Sequence, residues 1–334
     1  MASSRIGLAI SGGLTAPEIV ECVRLAEELG YESAWVAEGH GGDQFAILAA
    51  CATATTRIRL GTSISSVFVR SVPTIAMAAA TVDALSGGRF VLGLGSSHRV
   101  QVEGEHGLPY AKPIPRVRES VEAIRALLRD GELSYRGETV QIDRFDLWFT
   151  PLRRVVPIYL SALFPPMLEV VGEVGDGLIL TWATREAPAR AAAHVATGAR
   201  RAGRRPEDVE ITSLLPCVVA PTRAEALERM RPAVAMYAGF FPRYNRLLGE
   251  AGFPDAAKAI QTAWQTGDRA GAARAVPDAM AAAVGVVGTA AECRARIDEY
   301  RGAGLALPII SPRAPGEGAR RVFEDVIRAC APAH

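Results

Sequence analysis

The chain has 334 residues, 49% hydrophobic and 22% charged, enough apolar material to bury a large core and far from disordered or fibrous composition. Its 37 Lys and Arg against 36 Asp and Glu give a formal net charge of +1, so no global field draws it to nucleic acid or an anionic membrane, and a small-molecule partner is expected. Five cysteines lie scattered without C-x-x-C spacing, which argues against a zinc site or redox dithiol and fits free thiols in a cytoplasmic setting.

The opening residues, MASSRIGLAISGG, hold an apolar run too short for a signal segment or membrane span, and they predict a strand over 6–10. A helix over 16–29 follows, with Ile19, Val23, Ala26 and Leu29 at helical spacing and Gly30 as its C-cap. A second strand, 33–37, delivers Glu38, Gly39 and His40, and a helix over 44–54 leads on to the third.

Residues 57–97 are the most informative stretch. Ile58 and Leu60 lead a strand into Gly61, Thr62 and Ser63, and Phe90, Val91 and Leu92 lead another into Gly93, Gly95, Ser96 and Ser97. Between them Ser71 is an N-cap with Pro73 in the first turn, the Ala-rich run 75–85 favours helix, and Gly87-Gly88 stops it. This is a βαβ unit with parallel strands whose ends are dressed for a ligand, glycine there permitting close backbone approach.

A loop over 98–115, a helix over 117–129 and a hairpin around 134–147 interrupt the rhythm, which resumes with strands at 157–160, 178–181, 211–219 and 307–310. Eight strands in parallel alternation predict an α/β fold, a TIM (β/α)8 barrel forming one domain over 1–334, with insertions at approximately 98–115, 131–150 and 236–284. A doubly wound sheet shares the alternation. Gly93-x-Gly95, however, meets His98 where a dinucleotide fingerprint wants its third glycine, and it follows the fourth strand instead of the first. The largest insertion carries Tyr237, Phe240, Phe241, Tyr244 and Trp264, which either close over a ligand or bury a helical excursion; packing is the commoner fate of such aromatics.

Catalytic groups of such barrels sit at strand C-terminal ends: here Ser11, Glu38, His40, residues 62–66, 96–98 and 161–164, Thr181 and Trp182. Two of the five histidines, His40 and His98, fall just beyond strand ends. Glu38 is a general base, a ligand acceptor, or a strand-end salt bridge to an arginine. Trp182 stacks on a ligand ring or caps the barrel mouth. Ser161 and Thr181 offer hydroxyls, and a helix starting near Pro165 offers amide N–H groups, either to a phosphate or to ordinary capping. With no G-x-S-x-G, H-E-x-x-H, P-loop or carboxylate-rich metal cluster, no metal is expected, and a bound cofactor is expected to carry the reaction.

Taken together, Ser33-Ala34-Trp35-Val36-Ala37-Glu38-Gly39-His40, Arg57-Ile58-Arg59-Leu60-Gly61-Thr62-Ser63, Met77-Ala78-Ala79-Ala80-Thr81, Leu85-Ser86-Gly87-Gly88-Arg89, Leu92-Gly93-Leu94-Gly95, Pro157-Ile158-Tyr159-Leu160-Ser161-Ala162-Leu163, Gly175-Asp176-Gly177 and Val287-Gly288-Thr289 resemble the bacterial luciferase-like family. Within it, the chain is similar to the branch that uses the deazaflavin coenzyme F420. The resemblance implies a luciferase-like barrel, often a homodimer, with flavin or deazaflavin in its C-terminal mouth. It implies a non-prolyl cis peptide at Ser63-Ile64 behind the ring, Ser65 and Ser66 near the ring edge, and Gly95, Ser96 and Ser97 bordering the cofactor. Ser161, Ala162, Leu163 and Phe164 fall in the phosphate region, with Thr181 and Trp182 nearby, and Glu38 and His40 in the catalytic position. Two departures stand out: Gly39 separates Glu38 from His40 where many relatives have an adjacent Asp-His pair, and Phe164, followed by Pro165 and Pro166, replaces a frequent glycine. The expected activity is hydride transfer between the C5 of F420 and a small organic substrate. The alternatives are an FMN-dependent monooxygenase using oxygen and a non-catalytic flavin-binding protein, for which Phe164 is the one hint of a blocked mouth.

Overall fold

The computed structural model describes residues 5–314, 316 and 318–332. The chain opens with β1 (Gly7–Ile10), α1 (Ala16–Glu28), β2 (Ser33–Val36), α2 (Gln44–Ala54), β3 (Arg59–Thr62), β4 (Ser65–Ser66), α3 (Val72–Leu85) and β5 (Phe90–Gly95). The helix starts are written locally: Thr15 and Glu18 form a capping box, Asp43 accepts from the Ala46 amide at 2.9 Å, and Ser71 caps α3.

Next come α4 (Arg99–Gly104), α5 (Pro113–Asp130), the hairpin β6 (Glu132–Arg136) and β7 (Gln141–Asp146), then β8 (Ile158–Ser161), α6 (Pro165–Val174), β9 (Gly177–Thr181), α7 (Ala187–Arg201) and β10 (Glu210–Val219). The segment expected as a loop over 98–115 is thus partly helical, with an Arg99–Glu103 ion pair of 2.6 Å along α4 and α5 beginning at Pro113. The chain ends with α8 (Arg223–Phe240), α9 (Pro242–Glu250), α10 (Pro254–Gln265), α11 (Arg269–Arg274), α12 (Asp278–Val284), β11 (Val286–Gly288), α13 (Ala290–Gly302), β12 (Leu307–Pro312) and α14 (Ala319–Ala329).

Eight parallel strands run in the order β1-β2-β3-β5-β8-β9-β10-β12, and β12 pairs back on β1, with Gly7 opposite Ile309, closing a TIM barrel. These are the eight strands the sequence predicts. Two short additions escape it: β4 pairs with the end of β5, and β11 pairs with the overhang of β10, Cys217 opposite Val286. Two or three residues are too few to show a period.

Side chains alternate between the two faces of a strand, and the barrel interior is filled by Ala9, Trp35, Val91, Tyr159, Ile179, Leu214, Leu307 and Ile309. The larger core lies between the barrel and its ring of helices. A further apolar cluster, built on α8 to α12 with Trp182, Val218 and Val287, anchors the longest insertion over the barrel mouth. The five cysteines are free and buried. Among the described residues, no helix is long and apolar enough to cross a membrane.

Candidate active site

The inner-face rule locates the site without further assumption. Two residues beyond Ala9, Trp35, Tyr159 and Ile179 stand Ser11, Ala37, Ser161 and Thr181; two beyond Gly61, which faces the Trp35 ring, stands Ser63; and Arg313 lies four beyond Ile309. All six line a cleft of about 960 Å³ at the C-terminal mouth, floored by Ile64, Ile179 and Leu214.

The Ser63–Ile64 peptide is cis, as the resemblance implies. The glycines of β5 answer to this bulge. A Cβ on Gly93 would lie 1.8 Å from the Thr62 carbonyl oxygen, and one on Gly95 2.9 Å from Ile64 Cδ1. The Thr62 hydroxyl clasps the same spot, donating to the Gly93 carbonyl and accepting from the Gly93 amide, both at 2.8 Å. Sequence reasoning assigned the space at these glycines to a ligand; protein atoms fill it at Gly93, while Gly95 has Ile64 on one side and the cleft on the other.

Glu38 and His40 both line the cleft, with different surroundings. The Glu38 carboxylate accepts from Arg70 Nε on one oxygen and from the Ser66 amide, at 2.7 Å, on the other, and Arg70 reaches on to Asp43 at 2.5 Å. Of the roles weighed for Glu38, the strand-end salt bridge is the one seen. His40 stands at the rim, its side chain 80% exposed and its Nε2 3.2 Å from Glu105.

Ser65 and Ser66, expected near a ring edge, are buried in β4 and do not themselves line the cleft, because pairing with Leu94 and Gly95 draws them into the sheet. Ser96, Ser97, Ser161, Ala162, Leu163, Phe164 and Thr181 all line it. The helix expected near Pro165 does begin there, but it cannot offer its first amides. Prolines occupy its first two positions and have no N–H, and the Met167 amide donates to the Phe164 carbonyl at 3.1 Å.

Of the two roles weighed for Trp182, the structure shows the cap. Its backbone takes φ +53°, the ring is buried 4.5 Å from Tyr237, and it lies behind the cleft wall, facing a smaller neighbouring cavity. It caps the barrel mouth, with its indole nitrogen buried and without a partner among the described residues.

The structure adds residues that sequence reasoning left open or missed. From α8 and α9, Met236, Tyr237, Phe240, Phe241 and Tyr244 form an apolar wall facing the strand ends. His98, weighed as functional or not, packs 4.4 Å from Phe241 and 5.2 Å from Tyr244. Burial, with the nearby Arg243 guanidinium, holds its imidazole down to about 4, so it is neutral at pH 7. Trp264 lies against Gly239 with the Arg269 guanidinium 3.6 Å from its ring centre, and does not line the cleft. Arg243, Arg246 and Arg313 were missed; for Arg313 the available signal was its even spacing from Leu307 and Ile309 along the last strand. No group of His, Cys, Asp and Glu among the described residues is arranged to hold a metal.

A family model described as luciferase-like monooxygenase matches residues 1–307. A 5,10-methylenetetrahydromethanopterin reductase of Methanolobus tindarius is 29% identical over 304 residues, 90% of this chain and 92% of the relative. An F420-dependent glucose-6-phosphate dehydrogenase of Amycolatopsis mediterranei is 30% identical over 234 residues, 64% of this chain and 68% of the relative. Among solved structures, a coenzyme F420-dependent tetrahydromethanopterin reductase from Methanopyrus kandleri superposes with a TM-score of 0.87 at 23% identity, covering 98% of each chain, a likeness of fold.

Proposed function

The chain belongs to the luciferase-like monooxygenase family, and on that premise we propose that it is an F420-dependent oxidoreductase transferring a hydride between the deazaflavin C5 and a small organic substrate. The observation that carries this reading is the cleft itself. Small polar strand ends surround an apolar floor, with the Ser63–Ile64 bulge on one side and an aromatic wall on the other. Such a surface suits a flat ring system, and it holds no metal-ligand set among the described residues. Relatives named for F420 dependence favour the deazaflavin over FMN.

The residues present fit such a group. Ser63 Oγ is buried without a partner among the described residues, and Gly95 keeps the adjoining wall flat. Ser63, Ile64, Gly95, Ser96 and Ser97 would hold the ring. Ser161, Ala162, Leu163, Phe164 and Thr181 would hold the phosphate-bearing tail. Because α6 lacks free amides at its start, the cation for that tail is Arg246, whose guanidinium lies 4.5 Å from the Phe164 ring centre. When bound, F420 supplies a two-electron carrier that accepts or returns a hydride at C5.

The side chains orient substrate and handle the proton. His40 Nε2, at the rim opposite Glu105 and open to water, takes up or releases it. Glu38, with both oxygens engaged, is a positioning residue that ties the end of β2 to β4 through Arg70 and the Ser66 amide. The protein works as a homodimer in a cytoplasmic setting: Trp148, Phe149, Leu152 and Val155 are exposed apolar side chains on one short segment that a second copy would cover, and the free thiols suit a reducing compartment.

The deciding experiment titrates purified protein separately with F420 and FMN, following fluorescence. Saturable F420 binding is expected, weakened in Ser63→Val and Arg246→Gln. Tight FMN binding with none of F420 would replace this reading with the flavin monooxygenase. In turnover, His40→Ala is expected to lower kcat at unchanged F420 affinity; unchanged kcat would remove the proton role.

A further inference from the structure

Among the inner-face residues that the barrel strands themselves bring to the mouth, Ser11, Ala37, Ser63, Gly95, Ser161, Thr181 and Arg313, only Arg313 is charged. Its backbone is fixed by donation from its amide to the Cys217 carbonyl at 3.0 Å. Its guanidinium lies 5.3 Å from the Trp182 ring centre and 5.5 Å from that of Tyr237, stacked against the aromatic wall. Among the described residues no carboxylate pairs with it, and its Nε is buried without an acceptor.

That is an unbalanced arrangement. Two other charges around the cleft are matched: Glu38 with Arg70, and Arg246 with Glu250 at 2.6 Å. Arg313 is half-buried, and a guanidinium with no carboxylate beside it leaves its donors free to take a planar oxyanion in a forked pair. The position also separates it from the assigned cofactor contacts. Around the barrel, β12 is three strands from β3, which carries the bulge, and three from β8, which leads to the phosphate region.

We propose that Arg313 is a specificity-determining residue that receives the anionic group, a carboxylate or phosphate, of a substrate whose apolar body lies against Tyr237, Phe241 and Tyr244. This rests on the F420-dependent reading of the same cleft. Arg243, which also lines the cleft and is near His98, adds positive charge to it. The substrate class is therefore organic anions with a flat or apolar body, and neutral isosteres are discriminated against because they leave the guanidinium unpaired.

Calorimetric titration of protein pre-saturated with F420 tests this with three probes of similar shape: benzoate, phenyl phosphate and neutral benzamide. At least one anion is expected to bind ten times or more tighter than benzamide, and the ratio of the two anions tells carboxylate from phosphate. Arg313→Gln should abolish the preference while leaving the F420 dissociation constant within about twofold, and Arg313→Lys should keep part of it. Equal binding of benzamide and both anions overturns the proposal, as does a preference that survives in Arg313→Gln. A tenfold loss of F420 affinity in Arg313→Gln also overturns it, because the guanidinium then serves the cofactor. If wild-type protein takes no F420 yet keeps an Arg313-dependent preference for anions, the cofactor reading fails and the anion site stands. The wild-type comparison of probes needs no variant, so misfolding of Arg313→Gln does not protect the proposal.

Discussion

Gly93 and His98 illustrate how single residues are judged by what surrounds them. Replacing Gly93 with Ala would drive a Cβ into the Thr62 carbonyl, a backbone atom that cannot swing away. The expected cost is about 3 kcal/mol in denaturant unfolding. Gly104→Ala, on open helix surface, should cost nothing measurable and serves as control. His98 makes a prediction with a definite sign. Its imidazole is held down to about 4 from an ordinary 6.5 by burial and by Arg243. As pH falls below about 6.5, the unfolded chain takes up a proton that the folded chain refuses until about 4, so stability falls through that window and the slope then flattens. Thermal melts between pH 4.5 and 7 should show this slope in wild type and lose it in His98→Gln; an unchanged slope would assign it to other groups.

Elements are held in place by carboxylates far from the cleft. Asp83 on α3, its side chain 1% exposed, is gripped by Arg153, whose Nε is 3.0 Å away and whose Nη2 also donates to the Phe90 carbonyl at 2.7 Å. This ties the segment after the hairpin to both α3 and β5. Arg153→Ala leaves a buried carboxylate unpaired and is expected to lose about 3 kcal/mol in urea unfolding; the double variant Asp83→Asn, Arg153→Met should recover much of it. Full stability in Arg153→Ala would mean that water or another donor replaces the guanidinium. Glu119 does a similar task for the hairpin: it accepts from the amides of Glu138, Thr139 and Val140 at 2.7 to 2.8 Å and from the Thr139 hydroxyl at 2.6 Å. Burial opposes its charge, but these bonds hold the carboxyl below its usual range. Neither clamp was legible in the sequence, because each joins residues about 20 to 70 positions apart whose spacing carries no period.

At the scale of the whole molecule, the exposed apolar side chains of Trp148, Phe149, Leu152 and Val155 bear on assembly, with Trp148 97% exposed. Sedimentation equilibrium should find a dimer that Trp148→Glu with Val155→Glu converts to monomer at unchanged Tm of the isolated protomer. A monomeric wild type would discard the dimer. The barrel itself was legible from the chain: strand, helix, strand alternation, caps at Ser71 and Asp43 and the glycine stops are local signals, readable within a few residues of their effect. Eight strands and the cis peptide at Ser63–Ile64 follow from such signals and from the resemblance they support. Which strand-end residues face the cleft was decided only by closure of the barrel. Closure puts Ser65 and Ser66 behind the wall, makes Trp182 a cap, gives Glu38 to Arg70 and leaves Arg313 at the mouth with no carboxylate partner among the described residues. The reason is physical: periodicity along the chain reports a residue's face on its own element, whereas burial, charge pairing and the pKa of a group such as His98 depend on neighbours brought in from distant parts of the sequence.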